Sequence, residues 1–263
     1  MQFMTLLLPL GIWLAMHRET LDMHIPTMKL GRTNVILITA LSFFLLPYMA
    51  LVSGVTALFF PNPASDFLSG AAQHSLLALL FAGAVTPAVV EEVVFRGYIQ
   101  SQYPGRPFWF VAFLNGLFFG IIHWHPQQFP YAFAMGIILA YFVYFTRSIR
   151  AGILSHFIVN AFNILMFRGM SFLMEAEETR LREAGDPEAL AEWEAALTAA
   201  AKASPWSAFF ILFVVALVFF PFIFFLFRAL ISHNRQRMTT YDIKQALVTP
   251  ENEESEDKPE DVV

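Results

Sequence analysis

Apolar residues dominate long stretches of this chain, and the charged residues gather between them. Residues 35–60, 67–90 and 205–227 each run for 23 residues or more without Asp, Glu, Lys or Arg. About 20 apolar residues carry a helix across the hydrocarbon core of a bilayer. Shorter apolar runs at 107–122, 129–146 and 151–167 reach across once their flanks enter the interface. Residues 1–16 lack the basic start and small-residue cleavage site of a secretory leader and are read as a short first span. The pattern predicts an all-α fold: a polytopic membrane helical bundle of about seven transmembrane helices over residues 1–231. Pro47 and Pro221 fall inside the second and last spans, where a missing backbone donor predicts kinks.

The connections carry their own signals. The 168–204 segment holds eight acidic residues and four basic ones, and its two halves are rich in strong helix formers. Between them Gly185 stops a helix, and Asp186 before Pro187 starts the next, so an acidic helical hairpin is predicted there. Residues 232–263 read as a polar tail, largely disordered, because "TPENEESEDKPEDVV" has almost nothing apolar to bury. Basic residues mark alternate loops: Arg18, Lys29 and Arg32; Arg96 and Arg106; Arg147 and Arg150; and five in the tail from Arg228. The 61–66 and 123–130 connections have none. By the positive-inside rule the tail is cytoplasmic and the N-terminus outside.

Composition narrows the chemistry. The chain is 57% hydrophobic and only 14% charged, well below the charged share of a soluble domain. With no cysteine, disulfides, thiolate nucleophiles and Cys-based metal sites are excluded. The net charge of −5 comes mostly from the hairpin and tail, so nucleic acid is not an expected partner.

Against this apolar background "AVVEEVVFRGYIQ" places Glu91, Glu92 and Arg96 inside a span. A charged side chain at a helix centre costs roughly 2.5–3.5 kcal/mol on insertion scales and usually faces a bundle interior or a cavity. Glu92 and Arg96 are one turn apart and can pair. Glu91, rotated about 100° from Glu92, is free to address something else. If the helix continues to about residue 103, Glu91 lies roughly 18 Å back from its end. His123, roughly 24 Å along the next span from residue 107, comes opposite it. His125, just before Pro126, reads as a helix-end residue. In "ILSHFIVNAFN", His156 and Asn160 share one face, with Asn163 close to it. One shared cavity satisfies these polar spots most economically. One mismatch stands: His156 is only roughly 9 Å beyond Arg150, shallower than Glu91. Either the fifth and sixth spans start sunken, or the site funnels toward the cytoplasm. Ser155, adjacent to His156, does not face it, which disfavours a serine nucleophile.

Three segments, "EEVVFR", "FGIIH" with Phe119 and His123, and "HFIVN", fit Glu-Glu-x-x-x-Arg, Phe-x-x-x-His and His-x-x-x-Asn in order on separate spans. In this the chain resembles the CAAX-protease and bacteriocin-processing (CPBP) family of intramembrane proteases, related to the prenyl-protein endopeptidases. The resemblance covers roughly residues 70–167. It implies an intramembrane endopeptidase working near the cytoplasmic leaflet, with Glu91 as general base on a water, His123 holding that water, and His156 and Asn160 stabilising the oxyanion. Glu92 and Arg96 would brace the site. It implies as partners the lipid bilayer and a peptide or protein substrate, including a hydrophobic or lipidated C-terminal tail, in what is expected to be a prokaryotic cytoplasmic membrane. Cofactors stay open: a metal-free glutamate route is preferred here, while Glu91, His123 and His156 are also a legitimate zinc set. The alternative function is a non-catalytic membrane immunity or binding protein that uses the same polar cavity. A proton-relaying transporter is weaker, because neither an inverted repeat nor paired broken helices are evident.

Overall fold

The structure is a computed structural model and describes residues 3–61, 74–202 and 205–247. Regular structure among them is helical, apart from an isolated antiparallel bridge between Thr27 and Ser148. Helices suit this sequence because a bilayer offers no water to backbone N–H and C=O groups, which must therefore bond within the segment. The elements are α1 (Leu8–His17, preceded by wide turns over Phe3–Leu7), α2 (Arg32–Ala57), α3 (Leu76–Ile99), α4 (Phe108–Ile121), α5 (Phe129–Thr146), α6 (Ile149–Ala184), α7 (Pro187–Lys202) and α8 (Pro205–Leu247).

The all-α membrane bundle expected from the sequence is present, but the count of seven spans is not established. By length and composition α2, α3, α5, α6 and the Phe209–Thr239 stretch of α8 can cross a membrane. The first helix, Thr5–His17, and α4 are apolar but shorter. Pro47 and Pro221 sit inside the continuous helices α2 and α8. No break falls at 167/168, since α6 runs 36 residues from the bilayer into the first arm of the hairpin. Gly185, at φ 64°, ends it in the left-handed conformation that glycine adopts without strain. Asp186 Oδ1 then accepts from the backbone N–H groups of Glu188 and Ala189, at 3.1 and 3.0 Å, and caps α7. Nor does a break fall at 231/232, because α8 stays helical to Leu247. The start of the third predicted span, 67–73, and the tail from 248 lie outside the described residues.

Two polar and close-packed contacts fix the bundle. Asn34 and Asn234, both fully buried, exchange side-chain hydrogen bonds of 2.9 and 2.7 Å and tie α2 to α8. Helices α4 and α5 meet at Gly116 and Gly136, where a Cβ on Gly136 would lie 2.7 Å from Gly116 Cα, so only a glycine allows the approach. The main core around Ile38, Leu41, Leu139, Phe142 and Leu230 lies beside these contacts.

The basic connections gather at one end. Met28 N–H donates to Arg147 O at 3.1 Å, Ile149 N–H to Pro26 O at 2.8 Å, and Arg237 Nη1 to Lys29 O at 2.9 Å. His24 meets Ser101 there, with Nδ1 2.9 Å from Oγ. At the opposite end Gln127 Nε2 donates to Ser53 Oγ at 3.0 Å and Thr56 Oγ1 to Gln127 O at 3.0 Å. Among the described connections, the basic ones at 26–29 and 147–149 thus lie at one end of the molecule and the 123–130 connection at the other.

Candidate active site

Pro87 shapes the helix that carries the acidic pair. Inside a helix proline has no N–H to donate and its ring clashes with the carbonyl four residues back. The preceding turns widen over Phe81–Val85, with Thr86 N–H reaching back to Phe81 O, and this absorbs the clash. A second widened stretch, Val93–Ile99, follows the pair directly. Glu91 and Glu92 end the short regular segment Thr86–Glu92 between them. Wide turns fit more residues into a given length, so Glu91 sits nearer the basic end than an ideal helix would place it.

The depth mismatch is resolved from the other side as well. Thr146 and Ser148 are fully buried and Arg147 nearly so, because the strand-like segment 26–28 lies across them. Helix α6 therefore starts inside the molecule, and His156 reaches the level of the carboxylates.

Glu92 is the hub. Its Oε1 accepts from Arg96 Nη1 at 2.7 Å and from His156 Nδ1 at 3.0 Å. Arg96 Nη2 donates to Gly136 O at 3.0 Å, which uses the opening left by the glycine contact of α4 and α5. The Arg96 guanidinium also lies 4.5 Å from the centre of the Phe119 ring, a cation–π contact. Phe119 in turn meets His156 edge to face, with centroids 5.6 Å apart, and His123 at 5.1 Å. Glu91, Glu92 and Arg96 are at most 1% exposed and His156 4%. Neighbours meet part of the bonding capacity of this buried ion pair, and Glu92 Oε2 and Arg96 Nε are left buried without a hydrogen-bond partner.

The partners assign the imidazole protons. A carboxylate only accepts, so His156 carries its proton on Nδ1 toward Glu92, which leaves Nε2 turned to Glu91 Oε2 at 3.8 Å. His123 Nδ1 likewise donates to the Phe119 carbonyl at 2.7 Å and leaves its Nε2 available. Glu91 is within Coulombic range of His156, His123, Glu92 and Arg96. Asn160, half-buried, lies one turn beyond His156 on α6, and Asn163 beyond it is exposed. His125 serves its own turn by accepting from Gln127 N–H at 3.2 Å. Ser155 is paired with Ser42 Oγ at 2.8 Å, on the α2 side.

Several supporting residues were not singled out from the sequence. Gly152 is the most consequential: a Cβ there would lie 2.2 Å from Glu92 Oε2, so α6 can press against the hub only because this residue has no side chain. Its position one turn before His156 places it on the same helical face, a signal the sequence did contain. The roles of Gly136, whose carbonyl receives Arg96, and Ser42 had no comparable signal, because both depend on which helices become neighbours.

A zinc set needs ligand atoms about 2.0–2.2 Å from one ion. Among the described residues no group of three or more His, Asp or Glu side chains is arranged to hold a metal.

No curated protein and no solved structure matches this chain. Residues 73–162, 90 of the 263, match the family model described as type II CAAX prenyl endopeptidase Rce1-like. That stretch contains Glu91, Glu92, Arg96, His123, His156 and Asn160, and the resemblance read from the motifs is a match to the Rce1-like family of CAAX endopeptidases.

Proposed function

We propose that this protein is an intramembrane endopeptidase that hydrolyses a peptide bond with a water activated by Glu91. The observation that carries this reading is the buried relay from Arg96 through Glu92 and His156 to Glu91, held at 2.7, 3.0 and 3.8 Å. A structural ion pair would need only Glu92 and Arg96. The second carboxylate, faced by an oriented imidazole, adds a base with a partner.

In this mechanism Glu91 takes a proton from water as the oxygen attacks the scissile carbonyl. His123 Nε2 holds that water. Glu92 fixes the tautomer and direction of His156, as a carboxylate does for a catalytic imidazole. The Asn160 amide and the imidazolium form of His156, protonated on Nε2 as well as Nδ1, donate to the oxyanion. The proton on Glu91 then passes to the leaving amine, which balances the hydrolysis. No step requires a metal. The substrate is a peptide or protein tail, hydrophobic or lipidated at its C-terminal end and presented at the cytoplasmic leaflet, in keeping with the family match and the basic end of the bundle.

The test compares peptide termini in membrane fractions from cells carrying wild type or Glu91→Gln at matched protein levels. Gln keeps the size of the side chain and removes the base, so termini present with wild type are expected to disappear. Identical termini, with the wild-type phenotype retained in the variant, would instead favour a binding or immunity role for the cavity.

A further inference from the structure

Two stretches of α3 are widened, and the local sequence accounts for only the first. Pro87 explains the turns over Phe81–Val85. Val93–Ile99 contains no proline, and the next in the chain is Pro104, beyond the helix. Wide turns are rare and concentrate at functional positions, so contacts from elsewhere must hold this one. The packing on α6 shows what the turns achieve. Glu92 lies against Gly152, where a Cβ would stand 2.2 Å from Oε2. Gly97 lies against Ile149, whose Cδ1 would be 3.8 Å from a Cβ there. In a regular helix five residues turn through about 500°, which would leave Glu92 and Gly97 roughly 140° apart. Wide turns bring both onto α6.

Gly97 also meets the segment that follows the first helix. A Cβ on Gly97 would lie 3.1 Å from Ile25 Cγ1. His24, beside Ile25, docks the end of the same stretch. Its Nδ1 is 2.9 Å from Ser101 Oγ, and its ring meets Tyr98 edge to face with centroids 5.0 Å apart. Glu19 Oε2, 3.1 Å from Nε2, holds the other edge of the ring. The residues that come next are anchored, since Ile149 N–H donates to Pro26 O at 2.8 Å and Met28 N–H to Arg147 O at 3.1 Å. His24 and Ile25 thus press on α3 from a base fixed to the start of α6.

We infer that His24 and Ile25 form a register clamp for the site: they hold Val93–Ile99 in wide turns against α6 and thereby keep Glu91 and Glu92 level with His156. They are positioning residues that act through α3. If the stretch tightened into regular helix, the carboxylate pair would turn by about 100° for each residue taken up, and Glu92 would leave His156. The consequence for cleavage rests on the protease reading, but the register does not.

The experiment uses the full-length protein in detergent, isotope-labelled at its histidine nitrogens. The His156 Nδ1–H bonded to Glu92 is read as a slowly exchanging imidazole resonance, identified by its loss in His156→Gln. Its exchange with solvent reports the register without any need for activity. Cleavage, read as the peptide termini that wild type generates, is measured in parallel. Three variants are set beside wild type. His24→Ala with Ile25→Ala removes the clamp. Ile25→Ala alone opens a gap at Gly97, and Ile25→Ala with Gly97→Ala refills it from the α3 side.

Removing the clamp is expected to speed exchange by about tenfold or more and to cut cleavage as strongly. Ile25→Ala is expected to do both in part, and the refilled variant to return both toward wild type. A role in packing alone would lower the thermal midpoint and leave exchange below it unchanged. A clampless protein that folds and exchanges at the wild-type rate overturns the inference, as does an effect of Ile25→Ala that the refilled variant fails to reverse. If the clampless protein does not fold, wild-type exchange in Ile25→Ala overturns it instead. If exchange follows the clamp but not even wild type cleaves, the protease reading falls and the clamp stands.

Discussion

Two glutamate–arginine pairs in this molecule share a spacing and a bond length and nothing else. Glu92 and Arg96 on α3 are four residues apart and 2.7 Å from each other, with both side chains fully buried. Glu178 and Arg182 in the hairpin arm of α6 are also four apart and 2.7 Å from each other, with side chains 41% and 57% exposed. In water such a pair exchanges one set of solvent contacts for another and gains little. In the bilayer each ion has surrendered its hydration, and neighbouring groups meet part of the pair's bonding capacity, while Glu92 Oε2 and Arg96 Nε keep no hydrogen-bond partner. Hence Glu92 also takes His156, and Arg96 also takes Gly136 O and the face of Phe119. Glu178 and Arg182 need no such company, and the further approach of Arg182 to Glu194 is a loose 4.0 Å. The same local code is a surface ornament in one place and the frame of a site in the other.

The largest predicted effect comes from breaking the buried pair on one side only. Arg96→Met leaves Glu92 buried without its cation, and such a loss is worth about 3–5 kcal/mol. It should appear as a large drop in the thermal midpoint of the detergent-solubilised protein. Arg96→Lys keeps the charge but loses the planar fork that serves Glu92 and Gly136 together, and is expected to fall between Met and wild type. Removing both charges, Glu92→Leu with Arg96→Met, sharpens the comparison. It should recover much of the stability lost in Arg96→Met while cleavage stays absent, because His156 has lost its orienting partner. If the double variant is the less stable of the two, the account of the pair as a compensated liability is wrong.

Gly152→Ala comes next. The added methyl group would stand 2.2 Å from Glu92 Oε2 and 3.0 Å from Val143 Cγ2, so α6 must shift or Glu92 must turn. Overpacking of this kind costs about 1–3 kcal/mol. The loss of cleavage should exceed what that destabilisation explains, since the shift displaces His156 from Glu91. Cleavage that falls only in step with the midpoint would reduce Gly152 to a packing residue. Gly169→Ala, on the same helix with nothing within 4 Å of the added Cβ, should show neither effect.

How much of this was legible in the sequence depends on which physical rule carried each piece. The apolar runs predicted the membrane helices because length against bilayer thickness is a local property. The i, i+4 spacing predicted the Glu92–Arg96 pair, and the αL glycine and aspartate cap at 185–186 predicted the hairpin turn, for the same reason. Depth was less legible. It depended on the wide helical turns of Val93–Ile99 and on a strap from residues 26–28 that buries the start of α6. The assignment of His156 was read from the motif as part of the oxyanion site, yet its nearest partner is Glu92, and that follows only from the way α6 faces α3. The span count faltered on the first helix and α4, which are apolar enough but short, and composition cannot distinguish a full crossing from a helix leaning on its neighbours.

The smallest predicted effect completes the contrast. Arg182→Gln removes one partner of the exposed pair and leaves Glu178 in water, so no buried charge is stranded. The loss should be at most about 0.5 kcal/mol and should shrink further as salt is raised. Cleavage should be unchanged, because the arm lies beyond the site along α6. Thermal midpoints of wild type and Arg182→Gln at low and high salt, set beside the Arg96→Met pair, measure what the environment alone adds to an identical bond. A loss at Arg182 comparable to that at Arg96 would mean that the hairpin is held in a protected setting, packed against another surface, rather than standing in solvent. The 2.7 Å contact there would then belong to an interface, and the division of the chain into a membrane site and a solvated arm would have to be redrawn.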